Sequence, residues 1–348
     1  MSDKRVLIIS LGNIANTIYT LPVANVLKAY NYRVEYAVSE RGFSVINKNP
    51  VVDKAFLLSM EQWSGKWLNS ETWESFFKVV NRIKVREYDI VIDCQQDFRS
   101  LLLFAMCKGK RKLTYSDAKG FSSIGANEII DTAMPSLKTN VGNIVERNLN
   151  FLKYLKMDYD IVEFPLPSSN FSVMLRYNPI FESFDKSKKT ILISAGAKNE
   201  NKRWSTANWT ALISNIKNDY NLLFSGSIID KPFVKEIGGD GFVNITGETK
   251  IETMFDILRK VDIVISGETE ITALAWAVGH PNIITLFTCS SPEKFSPIDY
   301  TNSKKYKSLY GDLPCQPCSG NDCFDEVAKC RHFPTVEDVM RAIKDCSN

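Results

Sequence analysis

Short apolar runs recur along this chain, and each is followed by a stretch whose apolar positions return at helical spacing. An uninterrupted run of this length reads as a parallel strand buried on both faces, and the helical stretch after it as the crossover that a parallel neighbour requires. The first series predicts strands over 5–10, 34–38, 55–58 and 90–93. A helix carrying Leu21, Val23, Val26 and Leu27 follows the first strand, and an amphipathic helix over 73–85 precedes the last. A second series restarts at 190–194 and continues through 222–225, 263–266 and 282–287. Between the two series, residues 164–189 hold Pro165, Pro167, Ser168, Ser169, Asn170 and Pro179, a composition that disfavours regular structure. The pattern therefore predicts an α/β protein of two doubly wound domains, 1–180 and 181–348. Their ligands are expected at the carboxyl ends of the strands, in a cleft that the two sheets face.

Composition supports this picture. With 348 residues, 44% of them apolar and 24% charged, the chain can fill two globular domains. The 43 Lys and Arg nearly balance the 40 Asp and Glu, for a net charge of +3, so the electrostatic footprint of a nucleic-acid binder is absent. The apolar run near the N-terminus turns polar at Asn13, far short of a signal-peptide core or a membrane span, which predicts a cytoplasmic protein. Eight cysteines in that compartment read as thiols or a metal site before a disulfide framework. His280 and His332 are the two histidines, so a mechanism built on a histidine base has few ways to arise. His280, just before Pro281, reads as a turn residue.

Four segments carry candidate chemistry. After the first strand, Gly12 permits a tight turn, and the helix start that follows presents free N–H groups to a polar or anionic ligand. In 194–205, the small residues Ala195, Gly196 and Ala197 allow close approach, and Lys202 and Arg203 offer cations for a phosphate; Trp204 reads as a packing anchor. In 266–279, Thr269 and the N–H groups behind it suit a diphosphate. Glu268 and Glu270 would repel one, and suit sugar or ribose hydroxyls or a helix cap instead. Finally, Cys315, Cys318, Cys323 and Cys330 are spaced C-x2-C-x4-C-x6-C. A tetrahedral ion, with His332 as substitute ligand, reduced structural thiols and disulfides all remain open.

In this order and at these distances the segments resemble glycosyltransferase family 9, the ADP-heptose:lipopolysaccharide heptosyltransferases of the GT-B fold, over nearly the whole chain. The resemblance lies in RVLIISLGNIANTIYTLPVANVLK, NPVVDKAFLL and YDIVIDCQQDFRSLLL in the first half. ISAGAKNENKRWSTANW, TGETKIETMFDILRKVDIVIS, TLFTCSSPEKFSP and the cysteine-rich tail carry it in the second. It implies a nucleotide sugar such as ADP-heptose held in the C-terminal domain by Gly196, Ala197, Lys202, Gly226, Thr249, Glu268, Thr269 and Glu270. It implies a glycolipid or glycan acceptor near Asn13, Gln95 and Arg99, inverting transfer with no cofactor or catalytic metal, and at most peripheral contact with the inner face of the inner membrane.

Two departures stand out. Where the family reads G-D this chain has Ala15-Asn16, so an amide that cannot accept a proton occupies the general-base position; Glu40 or Asp97 is a neighbouring carboxylate that could replace it. Ala15 is also expected to disturb a turn for which the family uses glycine. Where the family reads D-S-G-P-x-H this chain has Glu268, Thr269, Glu270, Ile271, Thr272 and Ala273. A catalytically degenerate paralogue that binds without transfer is therefore the alternative reading. A sugar-nucleotide epimerase is a weaker third, since its acid-base residues are not evident.

Overall fold

In the computed structural model, the described residues are 4–63, 69–116, 124–130, 142–168, 177–318, 320, 323 and 328–348. They form two compact units, Met1–Ser168 and Ser169–Asn348.

The first unit is built on β1 (Arg5–Ser10), β2 (Arg33–Ser39), β3 (Lys54–Leu58), β4 (Glu87–Asp93), β5 (Lys108–Tyr115) and β6 (Glu128–Ile130). All pair in parallel, in the order β3-β2-β1-β4-β5-β6. Val6, Leu7, Ile8 and Ile9 of β1 lie wholly inside, which is why the central strand is an unbroken apolar run. The helix Leu21–Ala29 has Pro22 in its first turn, where the missing N–H costs nothing. The helix Ser70–Lys84 buries Thr72, Phe76, Val80 and Ile83, one stripe at helical spacing.

The second unit holds β7 (Thr190–Ser194), β8 (Asn221–Phe224), β9 (Val243–Asn244), β10 (Ile263–Gly267), β11 (Asn282–Phe287) and β12 (Lys305–Tyr310). Its parallel order is β12-β11-β10-β7-β8-β9. Counted within each unit, the two sheets share one strand order, that of a doubly wound sheet, with switch points between β1 and β4 and between β7 and β10.

Residues 177–183, predicted to lack regular structure, include the helix Asn178–Ser183; Pro179 sits in its first turn, where it is tolerated. Tyr177 donates its hydroxyl to the Glu248 carbonyl at 2.9 Å, tying this segment to the second unit. Trp204 is the expected anchor: it is buried edge-to-face on Trp209, centroids 5.0 Å apart, and donates its indole N–H to the Pro334 carbonyl at 2.7 Å. His280 is a buried turn residue. Its Nδ1 accepts the Asn282 N–H at 3.1 Å, its Nε2 lies 3.1 Å from the Val261 carbonyl, and burial lowers its pKa, so the neutral ring serves packing.

Candidate functional site

At the first switch point the chain leaves β1 through Leu11 and Gly12 into the helix Ile14–Ile18, capped by Asn13, whose Oδ1 accepts the Asn16 N–H at 2.9 Å. A side chain on Gly12 would come within 2.3 Å of Asn16 Nδ2 and 2.7 Å of Gln95 Oε1, so the two carboxamides press against the Gly12 backbone from the helix after β1 and the turn after β4. The Ser39 hydroxyl holds the same turn through the Gly12 carbonyl at 2.6 Å. Ala15 corrects the expectation above: it is buried within a regular helical turn and has no positive φ, so the backbone there does not require glycine.

At the end of β4, Asp93 is wholly buried and accepts the N–H groups of Gln95 (2.9 Å) and Gln96 (3.0 Å) and the Ser100 hydroxyl (2.8 Å). Burial outweighs these bonds and raises its carboxyl to about 6. Gln96 is held at φ +57° while its Oε1 accepts from Arg147 Nη2 at 2.8 Å. Gln95 donates to Asp97 at 3.2 Å, and its own Oε1 is buried without a partner. Asp97 caps the helix Phe98–Met106 and takes Arg99 at 3.0 and 2.5 Å, so the Arg99 charge is already matched. Asn13, Asn16 and Gln95 thus form one group, with Arg99 joined through Asp97. Glu40 is engaged with the Glu61 N–H at 3.1 Å.

The second switch point is charged. Lys202 Nζ lies 2.7 Å from Glu268 Oε2, with the two side chains 29% and 18% exposed. Asn199 caps the short 3-10 turn Glu200–Lys202, and Arg203 folds back onto the Ala197 carbonyl at 2.8 Å. Gly196 has no room for a side chain, because its Cβ would fall 2.1 Å from the Asp230 carboxylate; at Gly226 the corresponding distance is 3.1 Å. Asp230 was not foreseen in the sequence. Its Oδ2 accepts from the Ser227 N–H at 2.9 Å and hydroxyl at 2.6 Å, while Oδ1 is buried without a partner. The Gly247 N–H donates to the Gly226 carbonyl at 2.8 Å, which joins the turn bearing Thr249 to this group. Thr269 stands at the N-cap of the helix Glu270–Ala277, but its hydroxyl caps nothing and is buried without a partner. Glu270 lies in the first turn of that helix.

The cysteines form a separate group. Cys330 is buried and Cys315, Cys318 and Cys323 are exposed; burial first, and then the thiols of Cys289, Cys318, Cys315 and Cys323, push Cys330 up to about 11. A fifth thiol, Cys289, joins them: burial first, and then the Cys318 thiol, raise its pKa, and the Cys318 N–H donates to the Cys289 carbonyl at 2.7 Å. Among the described residues no three His, Cys, Asp or Glu are arranged to hold a metal ion. His332 is exposed and offers its carbonyl to Asn208 at 3.0 Å.

Two parallel six-stranded sheets of one order, each flanked by helices and each with polar residues at its switch point, define the α/β class of GT-B glycosyltransferases. The chain matches glycosyltransferase family 9 (heptosyltransferase) over residues 76–328 and belongs to that family. It is 21% identical over 323 residues to the lipopolysaccharide core heptosyltransferase OpsX of Haemophilus influenzae, a match covering 89% of this chain and 85% of that protein. Among solved structures it is similar to a family 9 glycosyl transferase from Veillonella parvula, with TM-score 0.77 and 15% identity over 99% of this chain and 97% of the other. It is also similar to the E. coli heptosyltransferase WaaC with ADP, with TM-score 0.70 and 16% identity over 98% and 99% of the two chains. No helix among the described residues is long and apolar enough to cross a membrane.

Proposed function

We propose that this chain moves a heptose or related sugar from a nucleotide sugar such as ADP-heptose to a lipopolysaccharide core or other cell-envelope glycan, with inversion and without a catalytic metal. The observation that carries this reading is the Lys202–Glu268 pair at the second switch point, where Gly196 packs on Asp230 and two buried polar atoms, Asp230 Oδ1 and Thr269 Oγ1, have no partner. A partly exposed Lys–Glu pair is worth ~0–1 kcal/mol. A charge-assisted contact to a diphosphate is worth ~1.5–3 kcal/mol. The phosphate contact is the stronger of the two, so Lys202 exchanges Glu268 for the donor's phosphates. Glu268 and Glu270 then accept hydroxyl protons from the sugar or ribose, Asp230 Oδ1 accepts another, and Gly196, Ala197, Gly226 and Thr249 bring main chain close. The relatives that act on lipopolysaccharide core or hold ADP support this choice of donor and acceptor.

In the reaction an acceptor oxygen bonds to the anomeric carbon, the bond from that carbon to the diphosphate oxygen breaks, and the acceptor proton passes to a base. Asn13, Gln95 and Arg99 hold the acceptor and Asn16 orients its hydroxyl. An amide cannot take the proton, so transfer is slow: the proton passes to Asp97, which Gln95 links to the carboxamide group but which Arg99 already engages. The protein works in the cytoplasm, peripherally on the inner face of the inner membrane, with no nucleic-acid partner. Mass spectrometry of a lipopolysaccharide core acceptor incubated with the protein and ADP-heptose tests the proposal; an unchanged acceptor across a panel of nucleotide sugars rejects it. Asn16 favours one second reading, a paralogue that binds nucleotide without transfer, and ADP binding alongside that unchanged acceptor would select it.

A further inference from the structure

We propose that the cysteine-rich segment is a latch on the loop that carries Lys202, with the main-chain carbonyl of Gly320 as its catch; this rests on Lys202 being a donor-site cation. Two side chains of the loop converge on that single carbonyl: Asn199 Nδ2 donates at 2.7 Å and Asn201 Nδ2 at 2.9 Å. Asn199 caps the 3-10 turn and Asn201 lies within it, so the two bonds grip the turn that ends in Lys202. The catch is itself seated on sulfur. Gly320 has φ +75°, and a side chain there would come within 2.7 Å of Cys289 Sγ and 3.6 Å of Lys202 Cγ. Glycine therefore meets both demands of the position, a left-handed backbone and close approach between a buried thiol and the lysine stem.

The same loop is tied down on either side of the catch. Thr288, next to Cys289, donates its hydroxyl to the Asn201 carbonyl at 2.9 Å, and Gln316 donates its side-chain amide to the Thr288 carbonyl. Past the cysteines, Arg331 pairs with Glu200 at 2.9 Å and donates to the Arg203 carbonyl at 3.2 Å, while the Ser205 N–H returns a bond to the Arg331 carbonyl at 2.8 Å. The function of the tail is thus to position a flexible lysine. A long side chain contributes to binding only when its backbone is fixed, since displacement of a charged group by an ångström forfeits most of an oriented contact.

A double-mutant cycle on the full chain tests this, with ADP affinity read by calorimetry for the parent, Asn201→Ala, Lys202→Ala and the pair. Asn201→Ala is expected to weaken ADP about three- to tenfold, the factor carried by one neutral hydrogen bond, and to add nothing once Lys202 is already alanine. An equal loss in both backgrounds would mean general loosening and would overturn the latch. If Lys202→Ala weakens ADP and Asn201→Ala does not, the latch falls and the donor site stands. If Lys202→Ala leaves affinity unchanged, the donor-site reading fails and the latch with it. Gly320→Ala reaches the catch from the opposite side, and the same dependence on Lys202 is expected should the melting temperature show Asn201→Ala to be unfolded.

Discussion

The two units repeat one strand order, yet β1 and β4 present carboxamides at their switch point where β7 and β10 present charges. Around Gly12 stand Asn13, Asn16 and Gln95, and the nearby charge of Arg99 is neutralised by Asp97. After β7 and β10 stand the Lys202–Glu268 pair and Gly196 against Asp230, with Asp230 Oδ1 and Thr269 Oγ1 buried without partners. An equivalent position on one scaffold thus carries different chemistry, and under the proposed function the amides suit a neutral, hydroxylated acceptor and an exchangeable ion pair suits a charged leaving group. What the amide side lacks is a proton acceptor at residue 16.

The sharpest way to break the comparison is to put that acceptor back. Asn16→Asp keeps the shape and adds a base, and transfer is expected to rise ~10²-fold or more. Ala15→Gly alone should change little, because Ala15 is helical. Acceptor glycosylation followed by mass spectrometry reads both; no rise from Asn16→Asp, together with loss of transfer in Asp97→Asn, would make Asp97 the working base.

Asp93 offers a test on the same side through stability. Its folded pKa, about 6, lies above its ordinary value of 3.8, so the folded protein keeps a proton that the unfolded chain releases. Stability from this group is therefore present at low pH and lost as pH rises from about 4 to about 6, by roughly 2–3 kcal/mol. In Asp93→Asn that fall should disappear from melting temperatures recorded between pH 4 and 8; a parallel pair of curves would show that Asp93 is ionised throughout.

On the charged side the two members of the pair should act with opposite sign. Lys202→Ala is expected to weaken ADP by ~1.5–3 kcal/mol. Glu268→Gln, which frees Lys202 from its competitor, should tighten ADP by about two- to fivefold, the scale of a partly exposed ion pair. Because Glu268 is also assigned to sugar hydroxyls, the same variant should lose affinity for the intact nucleotide sugar relative to ADP. Calorimetry with both ligands decides it, and equal shifts would remove Glu268 from sugar contact.

The sequence by itself determined the strands that lie deepest and the turns that follow them. A parallel strand covered on both faces must be apolar throughout, so β1, β7, β10 and β11 are written as plain runs, and the residues just beyond them, Gly12 to Asn16 and Gly196 to Lys202, are marked by glycine and polar groups. Tertiary structure decided the rest, because there the deciding neighbour is far along the chain. β5, KGKRKLTY, carries four basic residues and no apolar run, yet it is a strand whose Lys112 is buried with its ammonium 4.9 Å from the Phe104 ring centroid. β12, KYKSLY, is an edge strand in which lysine is tolerated because one side is unpaired. Asp230 is an ordinary acidic residue until the fold seats it beside Gly196, and Gly320 is an ordinary glycine until Asn199 and Asn201, more than a hundred positions away, close on its carbonyl. Local patterning encodes burial and turn chemistry, whereas a contact between two distant polar groups leaves no period in the sequence and exists only once the sheets have formed.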